Sequence, residues 1–326
     1  MTRYLLFILS ILLTGNLQAQ VSKSTVAFTS AKNDLLPESV GYDDNSQAFY
    51  LGSTRNGTIT KIDKNGKQST FVKGGKFGQW MVVGIKVDSK RNELWFCSSG
   101  GENLVGYSKT DDKEGRPAGI FKVDLTSGKL IKKYTLEKTG EVHFFNDLVI
   151  DSEGNVYASH MFKDHTIYKI DRDTDRLEPF VQSDLIKYPN GMDISDNRKY
   201  LFVAHSEGLA KIDIDSRTAT NLTVPEGIKV SRRESVDGLY YYKWSLIGIQ
   251  ADLNTVTRYY LNEDGSGIHK VETLDMNHPK MDHPTTGVLV NDSFYYVANA
   301  QFQKVNEDGS ITKELSDPTI LKLELR

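Results

Sequence analysis

The chain has 326 residues, of which 38% are apolar and 25% charged, the profile of an ordinary globular protein with room for one large all-β domain or two smaller ones. Its net charge of −3 supplies no basic surface for nucleic acid or anionic lipid. The lone cysteine, Cys97, excludes an internal disulfide.

Residues 1–19 read as an export signal. Arg3 gives the positive end, Leu5 to Leu13 the apolar run, and Gln18-Ala19 before Gln20 a small-residue cleavage site. The run is too short to anchor in a bilayer, and no later stretch approaches spanning length. No cysteine lies near the cleavage site to carry a lipid. The expectation is a soluble exported protein, periplasmic or secreted, without a membrane anchor, whose residues 20–326 form a single domain.

A repeat then runs through the chain. Six openings recur: Glu38-Ser39-Val40-Gly41, Val82-Val83-Gly84-Ile85, Asn146-Asp147-Leu148-Val149, Asn190-Gly191-Met192-Asp193, Asp237-Gly238-Leu239-Tyr240 and Thr286-Gly287-Val288-Leu289. Each leads through a turn into a second apolar strand, such as Leu94-Trp95-Phe96 or Val156-Tyr157-Ala158. A third strand carries a Lys-apolar-acid signature: Lys61-Ile62-Asp63, Lys122-Val123-Asp124, Lys169-Ile170-Asp171 and Lys211-Ile212-Asp213, with a looser copy at Thr257 to Asn262. Turn residues such as Lys64-Asn65-Gly66-Lys67 then suit a hairpin into a fourth strand. The β-branched and aromatic content of these short runs argues against helix.

With Glu38, Val83, Asn146, Asn190, Asp237 and Thr286 as equivalents, the spacings are 45, 63, 44, 47 and 49 residues. A period near 45 with four strands per unit predicts a six-bladed β-propeller, because each four-stranded blade buries its faces only against its neighbours. An insertion at residues 98–117 accounts for the long second interval. Thr319 to Leu323 matches Thr166 to Ile170 and reads as the third strand of the last blade, which makes residues 301–318 a second insertion. The outer strand missing there is expected from Ser24 to Phe28, closing the ring with the N-terminus.

First strands of a propeller line its central channel, so their openers converge. Four openers carry oxygen donors: Glu38, Asn146, Asn190 and Asp237. Two carboxylates and two amides, with neither thiolate nor imidazole, form a hard-ligand set suited to Ca²⁺, with Mg²⁺ or Mn²⁺ as alternatives. Zinc would call for His or Cys. Asn190-Gly191 and Asp237-Gly238 also read as plain turn residues, but turn duty leaves Glu38 in the same register unexplained.

Pro37-Glu38, Phe145-Asn146-Asp147, Pro189-Asn190-Gly191-Met192 and Val236-Asp237-Gly238-Leu239 together resemble the regucalcin, gluconolactonase and luciferin-regenerating enzyme family over nearly the whole mature chain. The resemblance implies a six-bladed propeller with a divalent metal held by Glu38, Asn146, Asn190 and Asp237. It also implies hydrolysis of lactones or related esters, with Asp237 as base as well as ligand. A bound cation of this kind would polarise a carbonyl while a carboxylate takes a proton from water. Metal binding lowers a carboxylate's proton affinity, so a second group is expected to share the role. His160 and His205 end second strands on equivalent copies and are candidates at the substrate mouth, although the plainer reading of each, a solvated or hydrogen-bonded loop histidine, is the stronger.

One departure concerns the substrate. Sugar-lactone hydrolases of the family carry an arginine two residues before the Asn of the third blade, and here that position is Phe144. A phenyl ring cannot donate to a polyol, which favours a less polar substrate against Phe144. His283 lies just before the sixth opener, within reach of the rim. Asp171 to Asp175 starts like an EF-hand loop but has Arg176 for the required glycine, and no Gly-x-Ser-x-Gly elbow occurs. The expected function is therefore a monomeric, metal-dependent lactonase or esterase acting on a small molecule. A non-catalytic propeller that binds a small molecule, peptide or glycan is the alternative.

Overall fold

A computed structural model of the protein describes residues 22–31, 34–107, 115–136, 140–162 and 165–325. Residues 1–19, expected to be an export signal, lie outside the described residues, as does the 108–114 part of the first insertion. Apart from short 3-10 turns the described chain is β-structure, with no helix long and apolar enough to cross a membrane.

Strand β1 (Thr25–Thr29) precedes five consecutive meanders. The first is β2 (Pro37–Asp43), β3 (Ala48–Ser53), β4 (Ile59–Ile62) and β5 (Gln68–Val72). The second is β6 (Met81–Asp88), β7 (Glu93–Ser99), β8 (Ala118–Asp124) and β9 (Leu130–Leu136). The third is β10 (Phe145–Ile150), β11 (Val156–His160), β12 (Thr166–Asp171) and β13 (Arg176–Gln182). The fourth is β14 (Met192–Ile194), β15 (Tyr200–His205), β16 (Gly208–Asp213) and β17 (Thr218–Asn221). The fifth is β18 (Leu239–Tyr241), β19 (Ser245–Gln250), β20 (Thr255–Leu261) and β21 (Ile268–Met276). The sixth sheet contains β22 (Gly287–Val290), β23 (Ser293–Val297) and β24 (Thr319–Glu324), with β1 antiparallel to β24 at its outer edge. The protein is a six-bladed β-propeller of four-stranded antiparallel blades, as the 45-residue period predicts.

The third-strand signature acquires a physical reason. The lysine lies over an aromatic ring of the second strand: Lys61 over Tyr50, Lys122 over Trp95, Lys169 over Tyr157 and Lys211 over Tyr200, at 4.8–5.9 Å. The acid closes the following turn. Asp63 Oδ1 accepts from the Asn65 and Lys67 amides, Asp124 Oδ1 from Ser127, and Asp171 Oδ1 from Asp173 and Thr174. The same bonds explain why Asp171 to Asp175 resembles an ion-binding loop without being one.

Six buried apolar clusters hold the blades together, one at each interface between neighbours. Trp95 and Ile120 of the second blade meet Phe145 and Tyr168 of the third, and Val40 and Leu51 of the first meet Val297 and Ile320 of the sixth. Each such side chain contributes about 1.5–3 kcal/mol through burial. Since the packing lies between sheets rather than within them, no blade is stable alone.

Innermost strands contact one another around the channel, from β2 through β6, β10 and β14 to β18, with β22 against β2. At this crowded centre the glycines after two openers are close-approach residues. A Cβ on Gly191 would lie 2.2 Å from the Asp237 carbonyl oxygen, and one on Gly238 would lie 2.8 Å from that of Thr285. Their role is to let neighbouring blades touch backbone to backbone, as in the 2.8 Å bond from the Gly191 amide to the Asp237 carbonyl.

Candidate functional site

The four oxygen-bearing openers come from the first, third, fourth and fifth blades, and all four line one cavity of about 280 Å³. Local irregularity aims them. The pairing of β2 with β3 and of β10 with β11 shifts register at Pro37/Val40 and Phe145/Leu148, so Glu38 and Asn146 sit on bulges at the strand start. Asn190 and Asp237 precede their strands but remain anchored, since the Asn190 amide donates to the Ala204 carbonyl at 2.8 Å and that of Asp237 to the Ile249 carbonyl at 2.7 Å. The Glu38 carbonyl accepts the hydroxyls of Thr285 and Thr286 at 2.8 and 2.6 Å, tying the sixth opener to the first.

The electrostatics are those of an incomplete charge balance. Burial pushes the Glu38 carboxyl well above the usual range, and repulsion from Asp237 and Asp147 pushes it further. Burial also raises Asp237, opposed by His283 and by the hydrogen bond that Asn190 Nδ2 donates to Asp237 Oδ1 at 2.7 Å. That bond commits the amide nitrogen of Asn190, and its carbonyl oxygen is buried with no hydrogen-bond partner among the described residues. Such an acceptor is costly unless something occupies it. Among the described residues no group of three or more His, Cys, Asp or Glu side chains is placed to hold a metal. The donors here are half amide and half carboxylate, and all are oxygens. This set, with an orphaned carbonyl and two carboxylates that repel each other, fits a hard divalent cation.

Below the openers a second polar layer fills the channel. Lys86 Nζ lies 3.9 Å from Asp147 Oδ1 and over the Tyr240 ring at 4.9 Å. Asp147 accepts the Met192 amide at 3.2 Å, and Asp193 accepts that of Tyr241 at 2.8 Å. Burial raises both carboxyls, Asp193 to about 6, while Lys86 holds each of them down.

The other sequence candidates fall elsewhere. His160 is fully buried, with Nε2 3.1 Å from His143 Nδ1 and its ring against Phe145 and Tyr168 in the interface of the second and third blades. His205 is likewise buried, its Nδ1 accepting the Glu207 amide at 3.3 Å, and burial lowers its proton affinity. Phe144 packs edge-on against Phe162, with ring centroids 5.6 Å apart. None of the three is among the described residues lining the cavity. Side chains alternate along a strand, so ending a second strand does not decide which side of the blade a residue faces. His283 does reach the rim, with Nδ1 3.6 Å from Asp252 Oδ1.

Arg232, Arg233, Ser235, Asp252 and Phe302 complete much of the wall and escaped the sequence reading. The available signal was position, because Arg232 to Ser235 immediately precedes the Val236-Asp237 opening and so rises at the same mouth. A wider hollow lies beside Asp151, Glu153, Lys169 and Arg198, where Arg198 pairs with Glu153 and Lys169 with Asp171.

Fold and site together define a class: a six-bladed propeller with a carboxylate and amide cluster at one mouth of its channel. The family model described as the SMP-30/Gluconolactonase/LRE-like region matches residues 36–241, and the chain belongs to that family. No curated protein matches in sequence. Among solved structures, the major allergen Mala s 1 of Malassezia sympodialis superposes with a TM-score of 0.66 at 13% identity, covering 89% of this chain and 93% of its own. A luciferin-regenerating enzyme gives 0.61 at 14% identity, covering 92% and 95%. A gluconolactonase of Xanthomonas campestris gives 0.57 at 12% identity, covering 93% and 88%. At these identities the likeness is one of fold.

Proposed function

We propose that the protein is an exported, divalent-cation-dependent hydrolase of lactones or related esters, with Ca²⁺ the favoured ion and Mg²⁺ or Mn²⁺ as alternatives. The observation that carries this reading is the convergence of Glu38, Asn146, Asn190 and Asp237 on one cavity, with the Asn190 carbonyl oxygen buried and without a partner among the described residues. Family membership supports it.

These four residues would hold the ion, which when bound supplies Lewis-acid polarisation of the substrate carbonyl. The rest falls to the chain. Asn190 fixes Asp237 through Oδ1, leaving Oδ2 to accept a proton from the attacking water. The water oxygen bonds to the acyl carbon, the bond from that carbon to the alkoxy oxygen breaks, and the proton passes to the departing alkoxide. His283, whose charge acts on Asp237, is placed to share the proton. The substrate is a small molecule, in keeping with the cavity's size.

The test is hydrolysis of a panel of lactones and aryl esters by protein treated with chelator and then resupplied with single ions. Activity that vanishes with chelation and returns with one ion supports the reading. Metal binding without turnover on any substrate would replace it with a ligand-binding propeller.

A further inference from the structure

We propose that Arg232 and Arg233 form an anion clamp at the cavity mouth, so that the molecule bound there carries a carboxylate or phosphate group. The inference rests on the reading of this cavity as the substrate site.

Both arginines line the cavity with Glu38, Asn146, Asn190 and Asp237, and both are exposed. Neither guanidinium makes an ion pair or hydrogen bond with any described residue, whereas the neighbouring Lys229 lies 3.8 Å from Glu234. Asp252, the remaining carboxylate of the wall, lies 3.6 Å from His283 Nδ1. A divalent cation among the openers would balance Glu38 and Asp237 charge for charge. The two arginines then outnumber the one carboxylate left in the wall, Asp252, and the excess positive charge is available to a ligand.

The turn that presents them is built rather than loose. Arg232 has φ of 56°, a left-handed conformation that costs a non-glycine residue energy and persists only when its surroundings hold it. Here its amide donates to the Ser206 carbonyl at 2.7 Å and its carbonyl accepts the Ser235 amide at 3.1 Å. Gln250 Nε2 fastens the same segment, donating to the carbonyls of Lys229 at 3.0 Å and Glu234 at 2.5 Å. Two adjacent arginines carried at the cavity wall by this anchored turn suit the paired oxygens of a carboxylate or phosphate, which a single ammonium would hold without orientation.

The experiment is isothermal titration of the full chain, with Ca²⁺ present, using glutarate and its uncharged diamide, which is not an ester. The wild type is expected to bind glutarate in preference to the diamide. The R232Q/R233Q double variant should bind glutarate about tenfold more weakly or worse, with the R233Q single variant between the two. Both positions are exposed, so an unchanged Tm confirms that the variants fold. Equal binding of diacid and diamide by the wild type, or undiminished glutarate binding by the double variant, overturns the clamp. Because titration needs no turnover, the two failures separate. Glutarate binding without hydrolysis of any lactone or ester removes the proposed reaction and keeps the clamp, and hydrolysis without glutarate recognition does the reverse.

Discussion

Asn190 donates from Nδ2 to Asp237 Oδ1 at 2.7 Å across the boundary between the fourth and fifth blades, while its own carbonyl oxygen is buried with no partner among the described residues. One side chain thus orients a carboxylate through its nitrogen and offers a buried acceptor through its oxygen. Asn190→Leu removes both functions while keeping the branched outline of the side chain. The expected result is Ca²⁺ affinity reduced by about tenfold or more, read as a smaller rise in Tm on adding the ion. A variant with the wild-type response would remove Asn190 from the ligand set.

Asp237→Asn keeps the shape of the side chain and removes its capacity to take a proton. Turnover is expected to fall by about 10²-fold or more while the fold, followed by circular dichroism, stays intact. Retained turnover would count against Asp237 as the base.

The channel's second layer gives the metal-free protein a pH dependence. Asp193 has a folded pKa of about 6 against an ordinary value of 3.8, so the folded state binds the proton more tightly than the unfolded state. Stability therefore falls as pH rises from about 4 to 6 and stays at the lower level above that, a contribution of up to about 3 kcal/mol. Asp193→Asn is always neutral and should flatten this part of the profile. Urea unfolding at pH 4 and pH 7 measures it, and parallel profiles for the two proteins would refute the assignment.

Lys86 faces Asp147 at 3.9 Å and holds down the proton affinity of both Asp147 and Asp193. Lys86→Met leaves two buried carboxylates without that cation and is expected to cost about 3–5 kcal/mol at pH 7. The loss should shrink as the pH falls toward 4 and the carboxylates protonate. A deficit that does not change with pH would point to packing instead.

Strand β1 pairs with β24 from Thr25 to Thr29, and Ser24 adds a hydroxyl contact to Tyr296 at 2.9 Å. Deleting residues 20–30 strips the outer strand from the sixth blade and should lower the Tm of the whole domain, because blades are stable only through their neighbours. An unchanged melting temperature would show that this strand contributes nothing to the domain.

The sequence alone determined the number of blades, the four strands of each and the register of the openers. Strand alternation, turn acids such as Asp63 and Asp171, and the lysine over its cross-strand ring are local devices that repeat wherever the unit repeats. Glu38, Asn146, Asn190 and Asp237 were legible as a set for the same reason, since equivalent positions in a closed ring must converge. Tertiary structure alone decided the rest. It buried His160 and His205, turned Phe144 toward Phe162, and set Arg232, Arg233 and Asp252 in the cavity wall. It also made Gly191 a point of contact between blades rather than a turn residue. The physical reason is that which way an end-of-strand ring or a rim loop faces depends on packing against the next blade, tens of residues away, and no local periodicity encodes that.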